Sequence, residues 1–154
     1  MCRENPYFSY VDIVVRRVYH FSERDEIMER DLSKLPAAAF DHPELDPAVG
    51  VDYCGSAEDF LFILKTYQES IEGRVAQIEA DIEAGDLEAL TLVVHSLKSS
   101  SRAIGAEAFV ATAKALEEAG KQGDLEAVRR DAPALLDEYR KLGDIIKSIL
   151  DSCP

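Results

Sequence analysis

The chain of 154 residues contains no tryptophan, only three cysteines and no long hydrophobic run. The cysteines are odd in number and far apart, so neither a disulfide framework nor a zinc site is indicated. No apolar stretch approaches the roughly 18 residues of a membrane span, so we expect no membrane insertion. Asp12, Arg16 and Arg17 interrupt the N-terminal apolar stretch, which argues against a signal peptide. These absences favour a reducing, cytoplasmic location.

Basic residues are also scarce, since 17 lysines and arginines face 30 aspartates and glutamates and leave a net charge of −13. Nucleic acids and anionic membranes both select a positive surface. We therefore expect neither nucleic acid nor an anionic membrane as a partner. The net negative charge is sufficiently explained as a means of keeping the protein soluble.

Hydrophobic residues make up 47% of the chain, enough for a single domain with a real core. Alanine, leucine, glutamate and lysine dominate after residue 37, and the alternation typical of strands is rare there, which favours an all-α fold. Residues 37–154 are the predicted bundle, with prolines marking the boundary. Residues 1–36 are predicted to be an N-terminal extension or linker. Tyr7, Val11 and Val18 have helical spacing, which favours a helix there, although the valines and tyrosines also suit a strand.

Capping residues divide the bundle region into helices. Expected N-caps are Asp46, Ser56, Ser70, Asp86 and Asp124. Expected ends are near Gly55, Gln68, Gly85, Gly105 and Gly123, the last helix reaching about Asp151. Pro133 falls inside that last helix and should kink it or split it.

Short loops between these helices make neighbouring helices antiparallel. Residues at helical spacing predict three buried stripes. The first two are Leu90, Val94, Leu97, Ser101 and Ile104, and Ala106, Phe109, Ala113, Leu116 and Gly120. The stripe of the last helix is Leu125, Val128, Leu135, Leu136, Tyr139, Leu142, Ile146 and Ile149. The predicted fold is an antiparallel up-down four-helix bundle with one or more short N-terminal helices.

His95 lies in the middle of a predicted helix, on the edge of its core stripe, and Lys98 follows almost one turn later. An imidazole is largely neutral and nucleophilic at neutral pH, and a nearby cation suits the acceptance of a phosphoryl group. The alternative is that His95 is a surface histidine without a function, because a His-x-x-Lys pair often occurs by chance. His20 and His42 have no comparable context, and no spacing to His95 suggests a metal site.

A wider pattern distinguishes the two interpretations. The chain contains His95-Ser96-Leu97-Lys98-Ser99-Ser100-Ser101, then Ile104-Gly105-Ala106, then Leu116-Glu117-Glu118-Ala119-Gly120-Lys121. These segments, with the helices before them, resemble the histidine-containing phosphotransfer (HPt) domain of bacterial multistep phosphorelays over about residues 40–150.

The resemblance implies a role for each matching residue. His95 would be the phosphoacceptor through Nε2, and Lys98 would stabilise the added charge. By motif position, Glu117 would face the histidine from the next helix, and Lys121 would be a basic residue one turn further on. Many relatives have glutamine at the position of Glu117. A glutamate there would accept a hydrogen bond from the imidazole N–H, whereas a glutamine could donate one to the phosphoryl group. The negative charge of Glu117 would also oppose a nearby phosphoryl group. Ser99 replaces the usual glycine.

Two further residues lie on the histidine's own face. Leu92 could begin an apolar docking patch, and Arg102 is either a second cation or a solvated residue at a helix C-terminus, where a cation is favourable anyway.

The resemblance also implies partners. The expected function is a phosphorelay intermediate that receives a phosphoryl group from one receiver-domain aspartate and passes it to another. Response-regulator receiver domains and a hybrid sensor histidine kinase would be the partners, and Mg²⁺ would sit on the receiver. The sequence has no glycine-rich phosphate loop, so we expect no intrinsic cofactor and no autonomous kinase activity. The alternative is an HPt-like adaptor that binds a receiver without carrying phosphate.

Overall fold

The computed structural model describes residues 23–154, which contain helices and no strand. The elements are α1 (Glu23–Leu32), a 3₁₀ turn (Ala37–Phe40), α2 (Pro47–Cys54), α3 (Ala57–Ala84), α4 (Leu87–Ala103), α5 (Glu107–Lys121) and α6 (Leu125–Asp151). Helices α3 to α6 pack in a closed ring, each against the next and α6 back against α3. Short connections make neighbours antiparallel, so the predicted up-down four-helix bundle is confirmed.

Side-chain caps begin most helices where the sequence predicts them. The Asp46 side chain accepts hydrogen bonds from the backbone N–H groups of Ala48 and Val49. The Ser56 side chain accepts one from the backbone N–H of Asp59. Asp86 and Asp124 cap α4 and α6 in the same way. Each such cap satisfies backbone donors that have no partner inside the helix, which fixes where the helix starts.

The core lies between the four long helices. The predicted stripes of α4 and α5 are buried throughout, and so is that of α6 except for its first residue, the half-buried Leu125. At the centre, the ring of Tyr139 stacks on Phe109 and meets Tyr67 edge-on. Burial of this apolar surface is the main force that holds the helices together.

The predicted helix boundary at Ser70 is wrong, and so is the predicted split of the last helix at Pro133. Helix α3 is continuous from Ala57 to Ala84, and Ser70 is no N-cap, because its hydroxyl donates to the carbonyl of Tyr67 within the same helix. Pro133 does not split α6, which runs through it unbroken. Proline removes one backbone donor from a helix, and the extensive buried face of α6 outweighs that loss.

The N-terminal extension contains at least one helix, α1, which packs on α2. Leu32 and Leu35 are buried in the same core as the bundle residues, although both precede the predicted boundary at residue 36. The stripe of Tyr7, Val11 and Val18 lies outside the described residues. The division into residues 1–36 and 37–154 therefore stays a prediction.

Candidate functional site

The site is built where α4 and α5 pack closely side by side. His95 lies in the middle of α4, and Glu117 lies in the last turns of α5. Gly120, one turn after Glu117, lies against Thr91, one turn before His95; a Cβ on this glycine would be 2.5 Å from Oγ1 of Thr91. The missing side chain lets the two helix backbones approach and places the two functional side chains within hydrogen-bond distance.

Glu117 is the centre of the arrangement. Its Oε1 lies 2.8 Å from Nδ1 of His95 and 2.7 Å from Nζ of Lys121, and its Oε2 bonds to Nζ of Lys98. Only 1% of the Glu117 side chain is exposed. One buried carboxylate thus collects a hydrogen bond from the histidine and two ion pairs.

These contacts keep Glu117 ionised. Burial by itself would raise the pKa of the carboxyl, but hydrogen bonds from Lys121, Lys98 and His95 outweigh it and lower the pKa to about 2. The same ion pair raises the pKa of Lys121. At neutral pH, Glu117 is therefore an anion between two ammonium groups.

The contact with Glu117 determines the tautomer of His95. A carboxylate can only accept, so Nδ1 must carry the proton, and the lone pair of the neutral ring then lies on Nε2. The His95 side chain is 60% exposed. No hydrogen bond to Nε2 is described for any residue from 25 to 154. The arrangement offers a nucleophilic nitrogen to solvent with its ring held from behind, as an aspartate orients histidine in hydrolase triads.

Lys98 is less exposed than its place on the helix predicts. The side chain is only 16% exposed, because it folds onto Glu117, whereas the sequence placed it on the open face beside His95. Lys121 remains 53% exposed. The structure brings His95, Lys98, Glu117 and Lys121 together in one connected cluster.

The other predicted residues stay outside this cluster. Leu92 is 67% exposed on the same helix, and Ser99 is exposed with its hydroxyl donating to the carbonyl of His95. Arg102 is exposed in the last turn of α4. None of these three contacts Glu117 or Nε2 among the described contacts.

Two supporting contacts could not be found from the sequence. Arg74 of α3 donates to the hydroxyl of Ser96, next to His95. On the buried side, Ser101 shares a 2.7 Å hydrogen bond with Tyr67 and donates to the carbonyl of Leu97. Both pairs join the consecutive helices α3 and α4 through residues 22 and 34 positions apart, and no local spacing indicates them.

Neither a metal site nor a membrane span is found within residues 23–154. No group of three or more histidine, cysteine, aspartate or glutamate residues could hold a metal ion there. His42 lies in the connection before α2, and His20 lies outside the described range. No helix in the described range is both long and apolar enough to cross a bilayer.

Comparison with known proteins points to one family. The family model of the Hpt domain matches residues 63–145. The chain is 29% identical over 104 residues to the phosphorelay intermediate protein rdeA of Dictyostelium discoideum, a match that covers 67% of this chain. It spans only 41% of the length of that relative.

Two solved structures have a fold similar to that of this chain. The HPT domain of a sensor hybrid histidine kinase from Shewanella superposes with a TM-score of 0.64 at 21% identity, covering 70% of this chain and 94% of that one. The histidine-containing phosphotransfer protein B from Pseudomonas aeruginosa superposes with a TM-score of 0.58 at 29% identity, covering 71% of this chain and 92% of that one.

Proposed function

The chain belongs to the Hpt domain family, and on that basis we propose that it is a phosphorelay intermediate whose phosphoacceptor is His95. A receiver-domain aspartyl phosphate donates the phosphoryl group to Nε2, and the aspartate of a second receiver takes it away. A hybrid sensor histidine kinase would supply the first receiver, and a response regulator the second.

The observation that carries this proposal is the pairing of an exposed imidazole with a buried carboxylate. Glu117 holds the Nδ1 proton, so the lone pair on the exposed Nε2 is available for attack on phosphorus. As the new N–P bond forms, the P–O bond to the donor aspartate breaks and its electron pair leaves with the carboxylate. The reverse sequence passes the phosphoryl group on.

The chain contributes orientation and charge to this reaction. Phosphoryl transfer depends mainly on positioning and on cations near the phosphoryl oxygens. Lys98 and Lys121 provide two positive charges beside the imidazole. The remaining electrostatic stabilisation would come from the receiver, which we propose carries the Mg²⁺ ion.

We assign the docking surface to the exposed faces of α4 and α5 around His95. Leu92 provides apolar area there, and Ser99 is small enough to let a partner approach. A transient complex needs only a modest buried area, below that of a permanent interface. Arg102 lies within reach of the same surface, two turns after His95.

Transfer of label tests the proposal directly. The chain is incubated with Mg²⁺ and a receiver domain that carries radiolabelled aspartyl phosphate, in parallel with the His95→Gln variant. We expect label on the unchanged chain that is lost in acid and stable in alkali, and none on the variant. Binding to several receivers without any label would support the adaptor function instead.

A further inference from the structure

The buried carboxylate of Glu117 has a consequence for the phosphorylated state of the site, if the proposed function is correct. Its Oε1 accepts the Nδ1 proton of an imidazole whose other nitrogen would carry the phosphoryl group. The side chain is 1% exposed, so water cannot replace the contact from the Glu117 side. The phosphorylated ring would therefore face a fixed anion across 2.8 Å.

The charges around His95 balance only if Nδ1 stays protonated. Glu117 contributes one negative charge, and Lys98 and Lys121 contribute two positive ones, so the unphosphorylated cluster carries a net charge of about +1. Transfer of a phosphoryl group to the neutral ring adds one negative charge and makes the cluster neutral. Loss of the Nδ1 proton would leave the cluster with a net charge of about −1 and remove the hydrogen bond to a buried carboxylate, which is unfavourable.

Other charged groups near the cluster are the acid Glu118, whose charge acts on Lys121, and two cations. Arg74 approaches from α3 through Ser96, and Arg102 lies two turns further along α4. Both disfavour a protonated ring, as do Lys98 and Lys121. Among residues 25–154, Glu117 alone hydrogen-bonds to the ring, and its two ion pairs direct the lysine charges toward itself. The carboxylate therefore contacts the Nδ1 proton directly, whereas the cations act on the ring only through space.

We propose that Glu117 is a positioning residue that keeps His95 protonated at Nδ1 while Nε2 carries the phosphoryl group. When the group moves on, the N–P bond breaks and its electron pair returns to Nε2, while the acceptor carboxylate forms the new P–O bond. With the Nδ1 proton in place the ring leaves as neutral imidazole. Without it the ring would have to leave as imidazolate, a much poorer leaving group.

The pH dependence of phosphoryl loss tests this role. The full-length chain is phosphorylated chemically with phosphoramidate, which releases ammonia, and the His95→Gln variant gives the background from the other two histidines. Spontaneous hydrolysis and transfer to a receiver with Mg²⁺ are then timed from about pH 6 to about pH 9. We expect Glu117→Gln to shift the alkaline fall of both rates by at least about one pH unit to lower pH, which makes transfer about tenfold slower on the alkaline side.

Glu118→Gln is the matched control, because it removes the same charge from the next, exposed position of α5. Its profile should coincide with that of the unchanged chain. A Glu117→Gln profile that also coincides, or that is lowered by one factor at every pH, would overturn the proposal. A receiver that neither donates nor accepts would contradict the proposed function alone, because the hydrolysis profile needs no receiver.

Direct observation of the proton covers the case in which Glu117→Gln fails to fold. The unchanged chain is labelled with ¹⁵N in its histidines, phosphorylated, and titrated by NMR. We expect Nδ1 of His95 to stay protonated at least about one pH unit higher than in a phosphorylated histidine peptide. Equal titration of the two would reject the role of Glu117.

Discussion

Gly120 of α5 lies so close to Thr91 of α4 that a Cβ atom on the glycine would be 2.5 Å from the threonine Oγ1. This contact is one turn away from both His95 and Glu117. The threonine hydroxyl is itself held by a 2.6 Å hydrogen bond to the carbonyl of Leu87. The separation of the helices, and with it the contact from Nδ1 to Oε1, depends on the absence of a side chain at residue 120.

Gly120→Ala should therefore loosen the site. Alanine favours a helix by about 1 kcal/mol, but the clash with Thr91 should cost about 1–3 kcal/mol and push the helices apart. We expect a slower transfer to His95 together with a lower free energy of unfolding, measured by label transfer and urea denaturation.

Thr91→Ala supplies the test of this explanation. It removes Oγ1, and the next nearest threonine atom, Cβ, lies 3.7 Å from the position of the added carbon. The double variant should recover most of the transfer rate lost in Gly120→Ala. Losses that simply add in the double variant would show that the clash is not the cause.

A second glycine contact fixes the end of the histidine helix. Gly105 has φ +78°, and a Cβ there would lie 2.2 Å from the carbonyl oxygen of Asp46. The backbone N–H of Asp46 in turn donates a hydrogen bond to the carbonyl of Gly105. Gly85 has a similar φ of +69°, but a Cβ there would meet only Leu125, at 3.7 Å.

Alanine at these two glycines separates backbone strain from steric clash. Gly85→Ala should lose about 1 kcal/mol of unfolding free energy, from the positive φ alone. Gly105→Ala should lose about 3 kcal/mol or more, because the backbone of Asp46 must also move. Urea denaturation measures the free energy of unfolding of both variants. Equal losses would mean that the backbone of Asp46 moves away from the new Cβ without destabilising the fold.

The fold was largely predictable because its signals are local. Asp46, Ser56, Asp86 and Asp124 cap their own helices, and apolar residues at helical spacing define the buried faces. Ser70 gave a false signal, since a serine can cap a helix or bond back to its own helix. Buried Ile71 and Val75 continue the stripe of α3 beyond it, and tertiary packing decided the outcome.

The site was predictable only in part. Spacing placed His95 and Lys98 on neighbouring positions, but it could not show where the flexible lysine side chain ends. The sequence also suggested that Glu117 faces His95, but not that Glu117 is buried and shared by three partners. Such sharing depends on the distance between α4 and α5, which is a tertiary property.

The two lysines of the site should differ in importance. Lys98 is 16% exposed and Lys121 is 53% exposed, so the charge of Lys98 is less screened by water. We expect Lys98→Met to slow acceptance of the phosphoryl group by about tenfold or more, and Lys121→Met by about threefold. Rapid-quench measurement of transfer from a labelled receiver compares them.

Lys114→Met is the control for the lysine pair. Lys114 is exposed on α5, and no ion pair with Glu117 is described for it. This variant should transfer at the unchanged rate. A greater loss from Lys121→Met than from Lys98→Met would contradict the ranking by exposure.

The ion pairs of Glu117 also predict how stability depends on pH. The pKa of this carboxyl is lowered to about 2 in the folded chain from an ordinary value of 4.5. A lowered pKa in the folded state stabilises the fold above the unfolded value, and this contribution is lost as the pH falls. Glu117 should therefore contribute about 3 kcal/mol at pH values above about 5, and lose it between about pH 4.5 and pH 2.

Other carboxyls with lowered pKa, among them Glu44 and Asp131, lose stabilisation in the same range. The comparison must therefore be made between variants. Urea denaturation at about pH 5 and about pH 2.5 gives the acid loss for the unchanged chain, for Glu117→Gln and for Glu118→Gln. The loss should be smaller by about 2–3 kcal/mol in Glu117→Gln only. An equal acid loss in all three proteins would mean that the buried ion pairs of Glu117 only balance the cost of desolvating their charges.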